Sequence, residues 1–334
     1  MAIEKLSIDF DCLNTNIYKV GAGVVLSEPT VATISADAKK EFKAGGLDAR
    51  KLLGKTAENT KIVFPIFEGE IVSEEVASKL LNGFLRKIGV KNKLFGPSAI
   101  FSVPCGVNAE IISKYKAVAK EAGIGKVYFA EAPILSALGQ RIPLTEASPC
   151  FIIDMAGGTT NISVLSLDGI ITGISVNFGA NKIHTDIIDF VAEKFGLQIG
   201  LLSAERIKKE IGSLVEDDGL SAVLNGRDIK TGAPKAISIK SCDIFEVIAK
   251  YYNKIIQLAT NVLAKLPPEV SADIRSSGIY LSGVSANIYG IENYFSKKMD
   301  MKINLAEHPE YAVSIGGGVL LSNTALLNKL AVKI

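Results

Sequence analysis

The sequence predicts an α/β fold made of two related lobes. Segments with strand-like and helix-like patterns alternate along both halves of the chain, which is typical of a sheet covered by helices. A strand-turn-strand segment also occurs twice, first around Asp9 and again around Asp154. The length of 334 residues suits two domains, because a single domain commonly has about 150 residues.

Two kinds of pattern locate the elements of the first half. Short runs rich in β-branched and aromatic residues, bounded by Gly or Asn, predict strands. Apolar residues at three- and four-residue intervals predict helices. The predicted elements are strands 6–11, 15–20 and 21–27, helix 73–89, strand 98–104, helix 109–123, strand 127–132 and a helix opened by Pro133.

The second half opens with two strands around a Gly-rich turn, in the segment CFIIDMAGGTTNISVLSLDGII. Its longest predicted helix stops before Pro267 and Pro268, because proline cannot continue a helix. The remaining predicted elements are helices 183–195 and 203–216, strands near 228–240, helix 242–265, a strand in GIYLSG, helix 287–299, a strand in MKINLA and helix 310–328.

Composition disfavours several classes of function. Hydrophobic residues make up 48% of the chain and the formal net charge is only +2, so we expect a folded core and no nucleic-acid partner. The histidines, His184 and His308, are too far apart in sequence for a histidine-based metal site or triad. Widely spaced cysteines predict reduced thiols; they are Cys12, Cys105, Cys150 and Cys242.

The repeated segment suggests an internal duplication. Asp9 precedes the run 15–17 and Asp154 precedes the run 160–162; both runs read Thr-Asn-Ile and both follow their aspartate at the same spacing. In each copy an apolar strand ends near the aspartate and the chain returns as a second strand. Two related lobes facing one cleft would explain the repeat, and the alternative is a chance resemblance of two hairpins.

The turn after Asp154 has the composition of a phosphate-binding loop. Gly157 and Gly158 allow backbone N–H groups to approach an anion, and the hydroxyls of Thr159 and Thr160 add donors. A tight hairpin without any ligand has the same composition. The turn alone therefore leaves both interpretations open.

Segments distributed over essentially the whole chain resemble MreB proteins in order and spacing. They are LSIDFDCLNTNIY, VVLSEPTVATIS, KNKLFGPSAIFSVP, DMAGGTTNISVLSLDGII, SAERIKKEIGSL and GIYLSGVSANIYGIENYF. This resemblance implies an actin-like, ribonuclease H-like fold in which two lobes with four subdomains surround a central cleft. It also implies that the cleft binds ATP with Mg²⁺ and that copies of the chain assemble into filaments.

The same resemblance implies how the chain is divided. Lobe I is expected to comprise residues 1–145, with a small subdomain at about 30–75. Lobe II is expected to comprise residues 146–314, with a small subdomain at about 181–243. The C-terminal helix, over 315–334, is expected to pack back on lobe I.

The resemblance also places nucleotide contacts on particular residues. Asp9 and Asp154 would hold the metal ion, and Glu205 and Lys208 would contact the ribose or base. The other implied cofactor contacts lie in the two phosphate loops and the adenosine loop; they are Asn14, Thr15, Gly157, Gly158, Thr159, Gly283 and Ser285. Helical spacing makes a solvated ion pair between Glu205 and Lys208 an open alternative.

Departures from the MreB pattern argue against efficient hydrolysis. Asp11 stands where the family's first loop has glycine, and a second carboxylate repels phosphate oxygens unless Mg²⁺ lies between them. Ala132 stands where relatives have the glutamate that orients water, and alanine cannot take that role. Glu131 is a poor substitute because neighbouring residues at a strand end point apart. We therefore expect no catalytic residue and weak or absent hydrolysis.

Two further sites depart from the family pattern. The family's Gly-Asp reads Ala180-Asn181, which removes another acidic group near the metal position. The glycine run of the adenosine loop reads 283–285, Gly-Val-Ser, where side chains would crowd a base. Both differences strengthen the expectation of a divergent nucleotide site.

Leu94 and Phe95 match the MreB loop that inserts apolar side chains into a membrane. Lys91 and Lys93 lie beside them, and basic residues near anionic headgroups favour binding by about 1 kcal/mol each. Two apolar side chains bind weakly, so a filament with many copies would be needed. The alternative is that Leu94 and Phe95 cover the edge of the core.

We therefore expect a MreB-like cytoskeletal protein that forms paired protofilaments on the inner face of the cell membrane, in cell shape or intracellular organisation. Charged residues at positions 4, 5, 9 and 11 interrupt any signal-peptide pattern, which predicts a cytoplasmic protein. Two alternatives remain open. One is an active ATP-hydrolysing filament protein, and the other is a non-polymerising adapter or chaperone-like relative of the FtsA or DnaK kind.

Overall fold

The computed structural model describes residues 3–90, 96–144, 147–166 and 169–332. Leu94 and Phe95, which the sequence places at a membrane, lie outside these described residues. Within the described ranges, no helix is long and apolar enough to cross a bilayer.

The first half of the chain alternates strands and helices as the sequence predicts. In chain order its elements are β1 (Lys5–Phe10), β2 (Asn14–Lys19), β3 (Gly23–Pro29), β4 (Ala32–Ser35), β5 (Phe42–Gly45), α1 (Leu47–Arg50), β6 (Thr60–Val63), β7 (Ile66–Phe67), β8 (Glu70–Ile71), α2 (Glu74–Lys87), β9 (Ser98–Val103), α3 (Ala109–Glu121), β10 (Lys126–Glu131) and α4 (Ala132–Gly139).

The second half continues this alternation. Its elements are β11 (Cys150–Met155), β12 (Thr160–Ser166), β13 (Gly169–Val176), α5 (Ala180–Phe195), β14 (Leu197–Gln198), α6 (Leu201–Ile211), β15 (Ser221–Asp228), β16 (Pro234–Lys240), α7 (Ser241–Leu263), α8 (Pro268–Ser277), β17 (Ile279–Ser282), α9 (Ile291–Met299), β18 (Ile303–Leu305), α10 (Ala312–Ser322) and α11 (Thr324–Leu330). Short 3-10 helices cover Val284–Asn287 and Pro309–Tyr311.

Three predicted boundaries were wrong for local reasons. The helix predicted over 203–216 ends at Ile211, because Gly212 takes an extended conformation with φ −71° and ψ 123°. The helix predicted over 287–299 begins only at Ile291, after a 3-10 turn. The helix predicted over 310–328 is two helices, because Asn323 is extended and its side chain accepts a hydrogen bond from the Leu326 N–H.

Several regular elements were not predicted, among them β4, β5, α1, β6, β7 and β8 of the first half and β15 and α8 of the second. The strand region near 228–240 is the second arm of a hairpin whose first arm, β15, begins at Ser221. Helix α8 follows immediately after Pro267. Pro268 occupies the first turn of α8, where the missing N–H costs nothing, so this proline starts a helix.

The two halves have the same sheet topology, which confirms the predicted duplication. The sheet orders are β3-β2-β1-β9-β10 and β13-β12-β11-β17-β18. In the first sheet Asp9 pairs with Asn16, and in the second Asp154 pairs with Asn161, both across antiparallel neighbours. Chance resemblance of two hairpins does not account for two five-stranded sheets with matching register.

Helices α4 and α10 pack against each other beside strand β1. This approach is close enough that a Cβ atom built on Gly316 would overlap the carbonyl oxygen of Leu135, and one built on Gly139 would overlap that of Ala312. Apolar residues such as Val313 and Leu320 fill the surrounding core. Small residues in α10 therefore fix the distance between the helix and the rest of the fold.

A smaller three-stranded sheet accompanies each large one. The first has the order β5-β4-β6 and the second β14-β15-β16. Helix α1 lies beside the first of these sheets and helix α6 beside the second. These two helices carry Arg50 and Glu205, which form an ion pair between the two halves of the chain.

The close contact between α10 and α4 predicts that a glycine-to-alanine change has opposite effects on stability at two helical positions, Gly316 and Gly83. Gly316→Ala should lower the free energy of unfolding by about 1 to 3 kcal/mol, because the added methyl group displaces packed backbone. Gly83→Ala should raise it by about 0.5 to 1 kcal/mol, because no atom lies within 4 Å of the new Cβ and alanine favours the helix. Denaturant unfolding of both variants measures the difference, and a neutral Gly316→Ala would contradict the packing described.

Candidate functional site

A cleft of about 1020 Å³ is lined by residues from both halves of the chain. Asp9 comes from strand β1 and Asp154 from the equivalent strand β11, and both side chains line it. Helix α6 contributes Glu205 and Lys208, and the turn after β17 contributes Gly283. The cleft therefore brings together residues that are far apart in sequence and that the sequence assigned to one site.

Each of the two aspartates is held by a serine on the adjacent parallel strand. The Ser102 hydroxyl donates to Asp9 at 2.7 Å, and the Ser282 hydroxyl donates to Asp154 at 2.9 Å. Sequence reasoning missed both serines. They could have been found from their equivalent positions: each lies near the carboxyl end of the strand that pairs in parallel with the strand of the aspartate.

Burial and mutual repulsion make these carboxylates weak acids. Removal from water and the charges of Asp11 and Asp154 together raise the pKa of Asp9 to about 7, and the Ser102 hydrogen bond opposes the rise. Burial raises the pKa of Asp154 to about 6 against the hydrogen bonds from Ser282 and Asn161. A site of this kind favours a proton or a cation beside the carboxylates.

Asp11 connects the first loop to the Gly-rich turn of the second half. Its carboxylate accepts a hydrogen bond from the Gly157 N–H at 2.9 Å and a longer one from the Leu13 N–H at 3.4 Å. Backbone hydrogen bonds from Cys12 and Gly158 also lower the pKa of Asp11, although burial raises it overall. Donors that a phosphate would use are therefore bonded to a carboxylate of the same chain.

The other predicted phosphate-loop residues differ in their exposure to the cleft. Asn14 and Thr159 line it. The Thr15 hydroxyl is buried and lies 2.8 Å from the Thr30 hydroxyl, in a hydrogen bond between the two side chains. Gly157 and Gly158 pack against Asp11 and Cys12 respectively, with no space for a Cβ atom.

A cluster of charged groups lies around helix α6. Glu205 is paired with Arg50 across the cleft, and the structure records no ion pair between Glu205 and Lys208 within the described residues. Burial lowers the pKa of Lys208 to about 8, against the opposing charge of Glu205. His184 is 5% exposed and lines the same cleft, and its Nδ1 has no hydrogen-bond partner in the described part of the chain.

Gly283 has a conformation that only glycine adopts without strain. Its φ is +86°, and a Cβ atom there would overlap the backbone of Met155. Ser285, expected beside the cofactor, is 1% exposed and its side chain does not line the cleft. Its carbonyl accepts a hydrogen bond from the Tyr252 hydroxyl at 2.7 Å, which holds this turn against the core.

The position at which the MreB resemblance implies a glutamate faces the cleft. Ala132 lines it with a methyl group only. The neighbouring Glu131 carboxylate accepts a hydrogen bond from the Gly106 N–H at 2.6 Å. Asn181, which replaces an acidic residue of the family pattern, donates to the Cys12 sulfur at 3.1 Å.

The residues present fit one part of Mg-ATP better than another. The end near α6 offers charged side chains and the exposed ring of Tyr289, which suit a nucleoside. At the phosphate end the Gly157 N–H is already bonded to Asp11. No group of three or more metal-ligating side chains is arranged for a cation among the residues that the structure describes.

The duplicated sheets around one cleft define an actin-like protein. The fold resembles MreB5 of Spiroplasma citri, solved with AMPPNP, at a TM-score of 0.91, with 30% identity and 98% of both chains covered. The double helical filament structure of MamK also matches, at a TM-score of 0.80 and 18% identity over 96% of this chain and 99% of MamK. At that identity the MamK likeness shows only the shared fold.

Sequence comparisons identify the family. The model of the MreB/Mbl protein family matches residues 3–329. The cell shape-determining protein Mbl of Bacillus subtilis is 30% identical over 330 residues, which are 98% of this chain and 99% of Mbl. The cell shape-determining protein MreB of Pasteurella multocida is 35% identical over 323 residues, or 95% and 92% of the two chains. The chain belongs to the MreB/Mbl family.

The buried histidine predicts a specific acid sensitivity. Burial, with the positive charges of Lys208 and Arg50, lowers the pKa of His184 to about 3. The unfolded chain binds a proton below about pH 6.5 that the folded chain rejects. His184 therefore lowers stability as pH falls from 6.5 towards 3, by about 1.4 kcal/mol per pH unit.

Urea unfolding between pH 7 and 4 tests this expectation. His184→Gln should lose less stability on acidification than the unsubstituted protein, since glutamine does not titrate. His308→Gln is the matched control, because His308 is exposed. Parallel pH profiles for His184→Gln and the unsubstituted protein would show that the folded state accepts the proton.

Proposed function

We propose that this chain is a MreB-like cytoskeletal protein that assembles head to tail into filaments and acts in cell shape or intracellular organisation. The observation that carries the proposal is the match to the MreB/Mbl family along nearly the whole chain. The curated relatives are named cell shape-determining proteins. Repetition of one heterologous contact between copies generates a filament, and we propose that two such protofilaments pair.

The cleft is the proposed nucleotide site. MreB5 of Spiroplasma citri has been solved with AMPPNP and with ADP. In this chain Glu205, Lys208 and Gly283 would surround the nucleoside, and Asp9 and Asp154 would hold Mg²⁺. Contacts to phosphate are proposed for Asn14, Gly158 and Thr159, and for Gly157 where a bound phosphate displaces the Asp11 carboxylate from its N–H. A bound Mg²⁺ would relieve the repulsion between the two aspartates.

Weak or absent hydrolysis is the second part of the proposal. Hydrolysis requires a group that orients or deprotonates the attacking water. Ala132 has no such group, and the Glu131 carboxylate is engaged by the Gly106 N–H. These two observations support the proposal of weak or absent hydrolysis.

The division into lobes and the membrane contact are proposed with the function. We propose that lobe I comprises residues 1–145 and lobe II residues 146–314, with α10 packed on the first lobe. In support, α10 contacts strands β1, β2 and β9 of the first sheet. We also propose that Leu94 and Phe95 attach filaments to the inner face of the cell membrane.

Electron microscopy of the purified chain tests filament assembly. We expect filaments with Mg-ATP and equally with Mg-AMPPNP, because assembly should not depend on hydrolysis. Phosphate release from Mg-ATP, measured on the same samples, should stay at the background level. Single particles under every nucleotide condition would instead favour a non-polymerising adapter.

The variant Asp154→Ala separates the proposal from an active ATPase. If the unsubstituted chain releases phosphate at a rate that Asp154→Ala abolishes, the chain is a working ATPase and the proposed weak hydrolysis is wrong. Asp37→Ala is the control, because Asp37 is an exposed carboxylate outside the cleft.

Co-sedimentation with anionic liposomes tests the membrane contact. Leu94→Ser combined with Phe95→Ser should remove most of the bound protein, because the apolar side chains would no longer enter the lipid. Phe67→Ser combined with Val72→Ser is the matched control, since both residues are exposed apolar residues of the same half. Equal sedimentation of the two double variants would rule out the proposed attachment site.

A further inference from the structure

The Asp11 carboxylate lies in the Gly-rich turn of the opposite half of the chain. It belongs to the loop between β1 and β2, whereas Gly157 belongs to the turn between β11 and β12. The Gly157 N–H donates to it at 2.9 Å. A Cβ atom built on Gly157 would overlap this carboxylate, so the two loops are in direct contact.

Two further backbone groups of this turn are also engaged within the protein. The Ala156 N–H donates to the Thr159 carbonyl at 2.9 Å, which closes the turn. The Gly157 carbonyl accepts from the Asn181 N–H at 3.0 Å. Backbone N–H groups of a glycine turn form a concave anion site. In this protein the Asp11 carboxylate already accepts a hydrogen bond from the Gly157 N–H of that turn.

Charge in the cleft is distributed unevenly between its two ends. At one end lie the carboxylates of Asp9, Asp11 and Asp154, and the charge of Asp11 raises the pKa of both Asp9 and Asp154. Among the described residues, the lysine and arginine side chains that line the cleft lie at the other end, beside Glu205 and Glu210; they are Arg50, Arg206, Lys208 and Lys209. A long polyphosphate placed near the three carboxylates would be repelled.

The end near α6 retains the features of a nucleoside site. Tyr289 lines the cleft and is 65% exposed, so its ring is accessible to a base. Leu220 adds an exposed aliphatic surface at the same cleft. Lys208 supplies a positive charge that a single phosphate group or a ribose hydroxyl could contact.

We propose that Asp11 sets the phosphate specificity of the cleft: its carboxylate occupies the phosphate-binding turn, so that the cleft prefers a nucleoside monophosphate to a nucleoside triphosphate. This inference rests on the proposed nucleotide site. Asp11 is thus a specificity-determining residue that acts by filling the position of the distal phosphates. A nucleoside monophosphate is the ligand class that fits, because Tyr289 offers a surface for the base and Lys208 a positive charge for a single phosphate.

Isothermal titration calorimetry with AMP and with Mg-ATP tests the inference on the full chain. The unsubstituted protein should bind AMP at least as tightly as Mg-ATP. Asp11→Ala should raise the affinity for Mg-ATP at least tenfold, because it frees the Gly157 N–H and removes a charge. The same change should alter the affinity for AMP by less than threefold.

Further variants separate occupation of the turn from other effects. Asp11→Asn keeps an oxygen that accepts from Gly157, so its gain in Mg-ATP affinity should be smaller than that of Asp11→Ala. Asp37→Ala removes an exposed carboxylate and should leave both affinities unchanged. Asp11→Gly replaces Asp11→Ala if the alanine variant does not fold, as judged by its thermal transition.

The outcomes distinguish this inference from the proposed site itself. Unchanged Mg-ATP affinity in Asp11→Ala, or an equal gain for AMP and Mg-ATP, overturns the role of Asp11 while leaving the cleft as a nucleotide site. Loss of binding of both ligands in Tyr289→Ala supports the nucleoside end. Failure of every variant to bind either ligand overturns the nucleotide site and the inference with it.

Discussion

The hydrogen bond from a strand serine to a cleft aspartate recurs in both sheets and ties each sheet to the cleft. A carboxylate withdrawn from water is costly unless donors surround it. Ser102 and Ser282 supply those donors from the strands that run parallel to the aspartate strands. Because a serine is useful only if its strand lies directly beside the aspartate, the same interaction favours one sheet order in both halves of the chain.

Polar contacts between the halves hold the cleft at both ends. The repeated asparagines take part in this connection: the Asn161 side chain accepts from the Cys105 N–H at 3.0 Å, and the Asn16 side chain donates to the Glu310 carbonyl at 3.1 Å. Arg50 and Glu205 connect the helices α1 and α6 at the far side. Residues that define the repeat in sequence therefore also join the two copies in space.

Sequence patterns predicted what depends on neighbouring residues and missed what depends on distant ones. The strands around Asp9 and Asp154 follow from alternation and spacing, and their repetition predicted the second sheet. The pairing of Arg50 with Glu205 joins residues 155 positions apart, which no local pattern encodes. Likewise the sequence showed Asp11 as an intruding charge, but only the folded chain shows that it bonds to Gly157.

The fold tolerates Asp11 because loop chemistry and sheet stability rest on different residues. The pairing of β1 with β2 ends at Phe10 and Thr15, so the loop that carries Asp11 lies outside the paired residues of the sheet. The Gly157 N–H in turn needs an acceptor, since an unpaired buried donor costs about 1 to 3 kcal/mol. The carboxylate satisfies it without any ligand. The carboxylate that satisfies the Gly157 N–H therefore also stabilises the ligand-free cleft.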